Sequence, residues 1–174
     1  MNVMDAIMSR KSVRSFTGQQ ISEAELQTIL LAAQAAPVGM AAYENVHLSV
    51  ITNTDLLKEI NHNAGKAFKR SDMLYGALTL ILVSTKIAGG PSDNVAYSNA
   101  ASMVENIALA AVELGIGACH IWGAVAALVG NADLVAKLKL PQGFTPVCAI
   151  ALGKTEEKYE KRTIPANRIA VNYI

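Results

Sequence analysis

The sequence predicts an α+β fold, in which a mostly antiparallel sheet is flanked by helices. Several segments place apolar residues at helical spacing, and others are apolar runs rich in β-forming residues. These segments do not alternate strictly, as consecutive βαβ units would require. The 174 residues are enough to bury a core, so residues 1–174 are predicted to form a single domain.

Five segments are predicted as helices from the spacing of their apolar residues. The second begins at Ser22, because Ser22 and Glu25 have the spacing of a capping box, and it ends before Pro37. The others cover residues 2–9, 55–61, 98–114 and 133–138. The helix over 98–114 is so apolar that most of its circumference should be buried.

Four segments are predicted as strands, and a tail follows them. Residues 46–52 alternate apolar and polar side chains, which indicates one buried face, whereas residues 77–84 are continuously apolar and indicate a fully buried strand. The other two predicted strands cover residues 118–122 and 145–152. The tail over 153–174 is polar and then extended.

The composition of the chain indicates which kinds of partner it binds and in which compartment it is expected. Only 17% of residues are charged, against about 25% in typical domains, so some apolar surface is expected to face another subunit. The net charge of +1 supplies no global field for nucleic acid or an acidic membrane, and neither is expected as a partner. The two cysteines form neither a disulfide framework nor a metal site. The start of the chain lacks the apolar region of a signal peptide, which favours a cytoplasmic location.

One apolar run is long enough to span a bilayer. Between residues 107 and 130 the only ionisable residues are Glu113 and His120. Three glycines interrupt this run, and its helix-forming part ends near Leu114. A buried helix followed by a buried strand is therefore the favoured interpretation.

A basic segment follows the first predicted helix. Residues 10–14 hold Arg10, Lys11 and Arg14 together with Ser12, in a chain whose total charge is nearly zero. Arginine offers a planar fork of donors that matches phosphate oxygens, and serine can supply a further donor. Cations are also favoured at any helix C-terminus by the macrodipole. The segment alone leaves both interpretations open.

Four motifs, in order along nearly the whole chain, resemble those of the flavin nitroreductase family. They are RKSVRSF at residues 10–16, NIALAA at 106–111 leading into LGIG at 114–117, the turn of Ile121, Trp122 and Gly123, and the tail pair Lys161 and Arg162. The resemblance implies a dimeric nitroreductase-like fold that binds FMN and uses NAD(P)H as reductant.

The resemblance also implies roles for individual residues. Arg10, Lys11 and Ser12 would hold the FMN phosphate and ribityl chain, and Arg14 would reach N1 and O2 of the isoalloxazine ring. The backbone N–H of Gly123 would support flavin N5, which carries the hydride, so no acid–base catalytic residue is expected. Lys161 or Arg162 would return to the phosphate. The remaining predicted FMN-binding residues are Pro37, Val38, Gly39, Met40, Ile121 and Trp122.

The sequence departs from the family pattern after the second helix. Family members usually have an Asn and then Gln-Pro-Trp, whereas this chain has Ala41 where the ring-contacting amide is expected. Asn45, or the backbone around Met40, is an alternative source of that contact. Family members are often longer, so a sparsely covered site is also expected.

Other candidates have weaker support. His47, His62 and His120 share no metal-ligand spacing, and Cys119 and Cys148 lie in apolar strand contexts without a paired base. Tyr43 and Trp122 are equally compatible with stacking near the flavin and with the core. Lys66, Lys69 and Arg70 form a basic run of the kind that is usually a solvated face, although the phosphate of a nicotinamide dinucleotide is an alternative partner.

The predicted function is that of an FMN-dependent oxidoreductase acting as a homodimer. It would transfer a hydride from NAD(P)H through the flavin to a small acceptor, such as a nitroaromatic or quinone, by a ping-pong mechanism. One alternative is a protein that stores or senses FMN without efficient turnover. Another is a structural dimer that has lost flavin, but the joint presence of Arg10, Ser12, Arg14, Gly123 and Arg162 argues against it.

Overall fold

The computed structural model describes residues 1–91 and 93–174. Within them, four strands form one sheet in the order β1-β2-β4-β3, with every neighbouring pair antiparallel. The strands are β1 (Val46–Ile51), β2 (Thr79–Lys86), β3 (Gly117–His120) and β4 (Phe144–Gly153). The α+β prediction with an antiparallel sheet is confirmed.

Six α-helices surround this sheet among the described residues. They are α1 (Val3–Ser9), α2 (Glu23–Gln34), α3 (Thr54–Phe68), α4 (Asp93–Glu113), α5 (Trp122–Val129) and α6 (Ala132–Lys137). The capping box at the start of α2 is present, since Ser22 accepts the N–H of Glu25 and the Glu25 carboxylate accepts the N–H of Ser22. None of the helices in the described ranges is long and apolar enough to cross a bilayer.

The sheet separates two apolar cores. Ile81 and Val83 of β2 face the core formed with α2 and α4, whereas Leu80 and Leu82 face the core formed with α3, α5 and α6. This division follows from the strand itself, because successive side chains point to opposite faces. Residues on opposite faces of the sheet are therefore supported by different helices.

Several predicted boundaries are wrong, and one helix was missed. The strand predicted over 118–122 ends at His120, and Trp122 begins α5 instead. In a segment without polar residues, periodicity cannot separate a buried strand from a buried helix. Helix α3 continues to Phe68 rather than residue 61, and α4 begins at Asp93 rather than residue 98.

Candidate functional site

The basic segment at residues 10–14 lies along the outer edge of the sheet. The N–H of Val13 donates to the carbonyl of Ala118 in β3 at 2.9 Å. The Phe16 ring packs against both Gly117 and Gly153, where an added Cβ atom would lie 2.9 Å from a ring carbon. Phe16 thus anchors the segment to the last residues of the sheet, and the two glycines leave the space that it occupies.

Arg10 belongs to a cluster of charges that the sequence did not reveal. Its Nε lies 3.3 Å from Oε1 of Glu105 on α4, and Nε2 of His120 lies 3.3 Å from Oε2 of the same carboxylate. The hydrogen bond from His120 lowers the pKa of Glu105 most, the charge of Arg10 lowers it further, and burial opposes both. The Arg10 Nε is buried and makes no hydrogen bond to any described residue.

The neighbouring basic residues have different partners. Lys11 forms an ion pair with Glu157 at 2.8 Å, and this contact is the main cause of the lowered pKa of Glu157. The Arg14 guanidinium carbon lies 5.8 Å from the centroid of the Tyr75 ring, within the range of a cation–π interaction. Arg14 is exposed and Ser12 is half-buried. The three cations of the segment therefore contact three different partners rather than a single shared one.

Helix α5 starts where β3 ends, and its first turn is uncapped. Its N-cap residue is Ile121, which has no side-chain oxygen and makes no capping hydrogen bond. The first N–H groups of a helix have no acceptor within the helix, and that of Gly123 is among them. Trp122 is 72% exposed, and its ring lies 6.1 Å from that of Phe68. The structure thus presents backbone donors beside an exposed aromatic surface.

The tail returns to α1, where Lys161 and Arg162 each contact residues of that helix. Arg162 donates from Nε to the carbonyl of Met8 and from Nη2 to that of Ile7, both at 3.0 Å. Lys161 instead pairs with Asp5 at 2.6 Å and remains mostly exposed. Arg162 therefore lies at the C-terminus of α1, directly before Arg10, whereas Lys161 lies one turn earlier.

The loop holding Pro37, Val38, Gly39 and Met40 lies elsewhere. The N–H of Gly39 donates to Oδ1 of Asn99 on α4 at 3.0 Å, and Val38 packs into the core of α2 and α4. Ile121, at the start of α5, packs into the opposite core. Within one chain, the basic segment is hydrogen-bonded to β3, which ends directly before Ile121, whereas this loop lies on the other face of the sheet.

Met40 and Ala41 have unusual backbone geometry. Their φ angles are 57° and 52°, in the left-handed region that residues with a Cβ rarely adopt. Such strain is often found at ligand-binding positions. Met40 is 94% exposed, so a residue at a strained turn presents its whole side chain to the outside.

Sequence reasoning missed the partners that position the candidate residues. Glu105 and His120 are 15 residues apart and carry no joint motif. The Tyr159 hydroxyl donates to the carbonyl of Ile116 at 2.7 Å, and burial raises its pKa to about 12. These contacts arise from the packing of α4 and the tail around β3, for which the sequence contains no local signal.

Most of the chain matches the sequence pattern of one known protein family. The model of the Nitroreductase family matches residues 7–154, which include the basic segment, all four strands and the start of α5. The chain belongs to the nitroreductase family. Its antiparallel sheet and surrounding helices are those of solved nitroreductase structures.

Two solved nitroreductases superpose on nearly the whole chain. A nitroreductase of Bacteroides fragilis, crystallised with bound FMN, is 29% identical, with a TM-score of 0.82 and coverage of 99% of this chain and 100% of that one. A nitroreductase of Desulfitobacterium hafniense, also with FMN, is 23% identical, with a TM-score of 0.84 and the same coverage of both chains. At that identity, the second shows the shared fold alone.

Two curated relatives are longer than this nitroreductase chain. A protein of Archaeoglobus fulgidus, provisionally named an NADH dehydrogenase/NAD(P)H nitroreductase, is 32% identical over 67% of this chain and 63% of its own length. The FMN reductase (NADPH) of Bacillus subtilis is 27% identical over 87% of this chain and 65% of its own. The chain thus spans less than two thirds of either relative.

Proposed function

We propose that this chain is an FMN-dependent oxidoreductase that accepts a hydride from NAD(P)H and passes it to a small acceptor, such as a nitroaromatic or quinone. The observation that carries the proposal is the basic segment itself, whose Arg10 is held by Glu105 and which is fixed to the edge strand that leads into the uncapped start of α5. The FMN bound by the Bacteroides nitroreductase and the activity of the Bacillus FMN reductase support it. We expect the protein to act in the cytoplasm.

The residues present fit FMN at both of its polar ends. Arg10, Lys11 and Ser12 would hold the phosphate and ribityl chain, and Arg162 would add a positive charge near Arg10. A phosphate oxygen is the kind of acceptor that the planar donors of a guanidinium group match. When bound, FMN supplies the two-electron redox chemistry that the side chains themselves do not.

The ring end would be oriented by residues around α5. Arg14 would lie at the N1 and O2 edge, and the uncapped N–H of Gly123 would donate toward N5. Ile121 and Trp122 would border the ring on this side, with the exposed Trp122 ring available for contact with a planar ligand. These residues position the ligand and exclude water, and none of them needs to transfer a proton.

A second copy of the chain would complete the site. The loop of Pro37, Val38, Gly39 and Met40 lies on the face opposite Ile121, so its predicted contact with FMN requires another subunit. Apolar side chains on α1 and in the tail are exposed in the single chain, namely Val3, Met4, Ile169, Val171 and Tyr173. Sedimentation should show a homodimer, and a stable FMN-loaded monomer at micromolar concentration would refute it.

A second candidate function is FMN storage or sensing without turnover. Ala41 has no side-chain amide for the flavin ring, so the ring could be held without the contact that family members use. This alternative binds the same cofactor through the same basic segment. It differs only in the absence of efficient reduction by a nucleotide.

An anaerobic reduction experiment separates the two functions. NADH or NADPH should bleach the visible absorbance of FMN on the purified protein, and a quinone or nitroaromatic should restore it. If both ligands use one flavin face in turn, double-reciprocal plots at several acceptor concentrations should be parallel. Tight FMN binding without bleaching by either nucleotide would favour storage, and failure to bind FMN would refute both.

A further inference from the structure

Three cations at the end of α3 form a surface that the proposed function has not used. Lys66, Lys69 and Arg70, which we call the basic turn, are exposed. They line a depression of about 320 Å³ together with His62, Gly65 and Ser71, and no carboxylate lines it. Among the ion pairs of residues 1–91 and 93–174, none involves the basic turn.

The backbone holds the basic turn in one conformation. Lys69 ends α3 in the left-handed region, with φ 54°, and the N–H of Arg70 donates to the carbonyl of Gly65 at 3.0 Å. A Cβ atom on Gly65 would lie 2.5 Å from the Arg70 carbonyl oxygen, so the chain folds back tightly on a glycine. After the basic turn, the side-chain oxygen of Asn61 on α3 accepts the N–H groups of Met73 and Leu74. The cations therefore extend from a fixed support.

The next acidic residue along the chain is already engaged. Asp72 follows the basic turn, and its Oδ1 accepts the N–H of Leu74 at 3.0 Å and that of Tyr75 at 2.7 Å. One cation at the end of α3 would be expected from the helix macrodipole alone. Three cations around a depression without a carboxylate lining are more than that effect requires, and they suit a multivalent anion.

The basic turn adjoins the start of α5 through Phe68. The Phe68 ring contacts that of Trp122, with centroids 6.1 Å apart. The same ring lies close to Gly123, because a Cβ atom added to Gly123 would be 3.4 Å from one of the Phe68 ring carbons. Lys69 is the next residue in the chain. A ligand that reached from the Gly123 end of α5 across Phe68 would therefore meet Lys69 and Arg70.

We propose that the basic turn binds the 2′-phosphate of NADPH and makes this protein prefer NADPH to NADH. The inference rests on the proposed function, because the nicotinamide must lie at the flavin ring beside Gly123. The two nucleotides differ only in that phosphate, which carries close to two negative charges at neutral pH. A site with Lys and Arg donors and no opposing carboxylate discriminates between them by charge-assisted hydrogen bonds.

The test compares both nucleotides on FMN-loaded wild-type protein and on a triple variant. The variant carries Lys66→Gln, Lys69→Asn and Arg70→Gln, with Asn chosen because it tolerates the left-handed backbone at residue 69. Lys58→Gln is the matched control, since Lys58 is an exposed lysine of the same helix that lies 3.8 Å from Asp55. Two readouts are needed: kcat/KM for each nucleotide, and the Kd of NADP⁺ and NAD⁺ by calorimetry.

We expect wild type and Lys58→Gln to prefer NADPH by about tenfold or more, which corresponds to about 1.4 kcal/mol. The triple variant should lose this preference in both readouts, while its values for NADH and NAD⁺ stay within about twofold. Equal use of both nucleotides by wild type, or an unchanged preference in the triple variant, would overturn the inference alone. Failure of both nucleotides to reduce the flavin would instead refute the proposed function.

Discussion

The carboxylate of Glu105 lies 3.3 Å from Nε of Arg10. The other oxygen of this carboxylate contacts His120, and the hydrogen bond from His120 is the main reason that the pKa of Glu105 is lowered. Glu105 is therefore ionised at neutral pH and holds Arg10 against α4. The position of the Arg10 guanidinium group is therefore fixed by a charged partner on α4.

Arg10→Ala should weaken FMN binding by about 10- to 100-fold. The loss corresponds to removal of one charge-assisted contact, worth about 1.5–3 kcal/mol. Flavin fluorescence titration would measure it, with riboflavin as the matched ligand because it lacks the phosphate. Equal losses for FMN and riboflavin would show that Arg10 does not act through the phosphate.

Arg162→Ala should destabilise the protein more than Lys161→Ala. Arg162 donates two hydrogen bonds to carbonyls at the end of α1, so its removal should lower the free energy of unfolding by about 1–3 kcal/mol. Lys161 is 64% exposed in its ion pair with Asp5, so its removal should cost less than about 1 kcal/mol. Urea unfolding of both variants tests the order, and the reverse order would contradict the docking of the tail through Arg162.

Gly117→Ala and Gly123→Ala should have unlike effects on stability. At Gly117 the new methyl group would lie 2.9 Å from both Phe16 and Val13, and this overpacking should cost about 1–3 kcal/mol. At Gly123 the close neighbour is the terminal methyl group of Met73, at 2.6 Å, which can rotate away. Alanine also favours helix, so the free energy of unfolding should change by less than about 1 kcal/mol there. Similar losses at both positions in thermal unfolding would disprove this account.

Stability should fall in acid partly because of Glu25. A hydrogen bond from Lys154 and a further one from the backbone of Ser22 lower its pKa from 4.5 to about 2. Because the folded-state pKa is the lower one, this contribution is complete above pH 4.5 and is lost as the pH falls toward 2.

Glu25→Gln isolates this charge, because glutamine can preserve the capping box. The variant should show a smaller decrease in the free energy of unfolding between these pH values than wild type does. Glu23→Gln serves as the control. It also removes a carboxylate from the first turn of α2, but the partner of Lys154 is Glu25. A decrease in Glu25→Gln as large as in wild type would rule out the assigned role.

The sequence allowed most of the sheet and α2 to be predicted, because their signals are local. The apolar runs of β2 and β4 and the capping box of α2 need no knowledge of the rest of the chain. The end of α3 could not be predicted, since Asn61, Asn63 and Gly65 are poor helix formers. Tertiary contacts stabilise the helix there. Asn63 donates to the carbonyl of Ala127 in α5, and the absence of a side chain at Gly65 leaves room for the backbone of Arg70.

The candidate site was predictable only in part, for a similar reason. The resemblance predicted that the basic segment and residues 121–123 belong to one site. In the structure the basic segment is hydrogen-bonded to β3, which ends directly before Ile121. The Glu105 and His120 contacts depend on the rotation of α4 about its axis and on where β3 ends. Neither is encoded in a short motif, so they emerge only when the elements are packed.

The placement of Gly39 and Gly123 on opposite faces of the sheet has a consequence for mixtures of variants. In the proposed pair of subunits, each pocket takes Arg10 and Gly123 from one copy and the loop around Gly39 from the other. At an FMN concentration that saturates only the wild-type site, pure pairs of a subunit carrying Arg10→Ala, and pure pairs of a subunit with an altered loop, would each have little activity. In a hybrid pair, one pocket would contain both altered parts and the other pocket would contain neither. After an equal mixture is unfolded and refolded, about half of the pairs should be hybrids with one intact pocket each. The mixture should therefore regain roughly a quarter of wild-type activity.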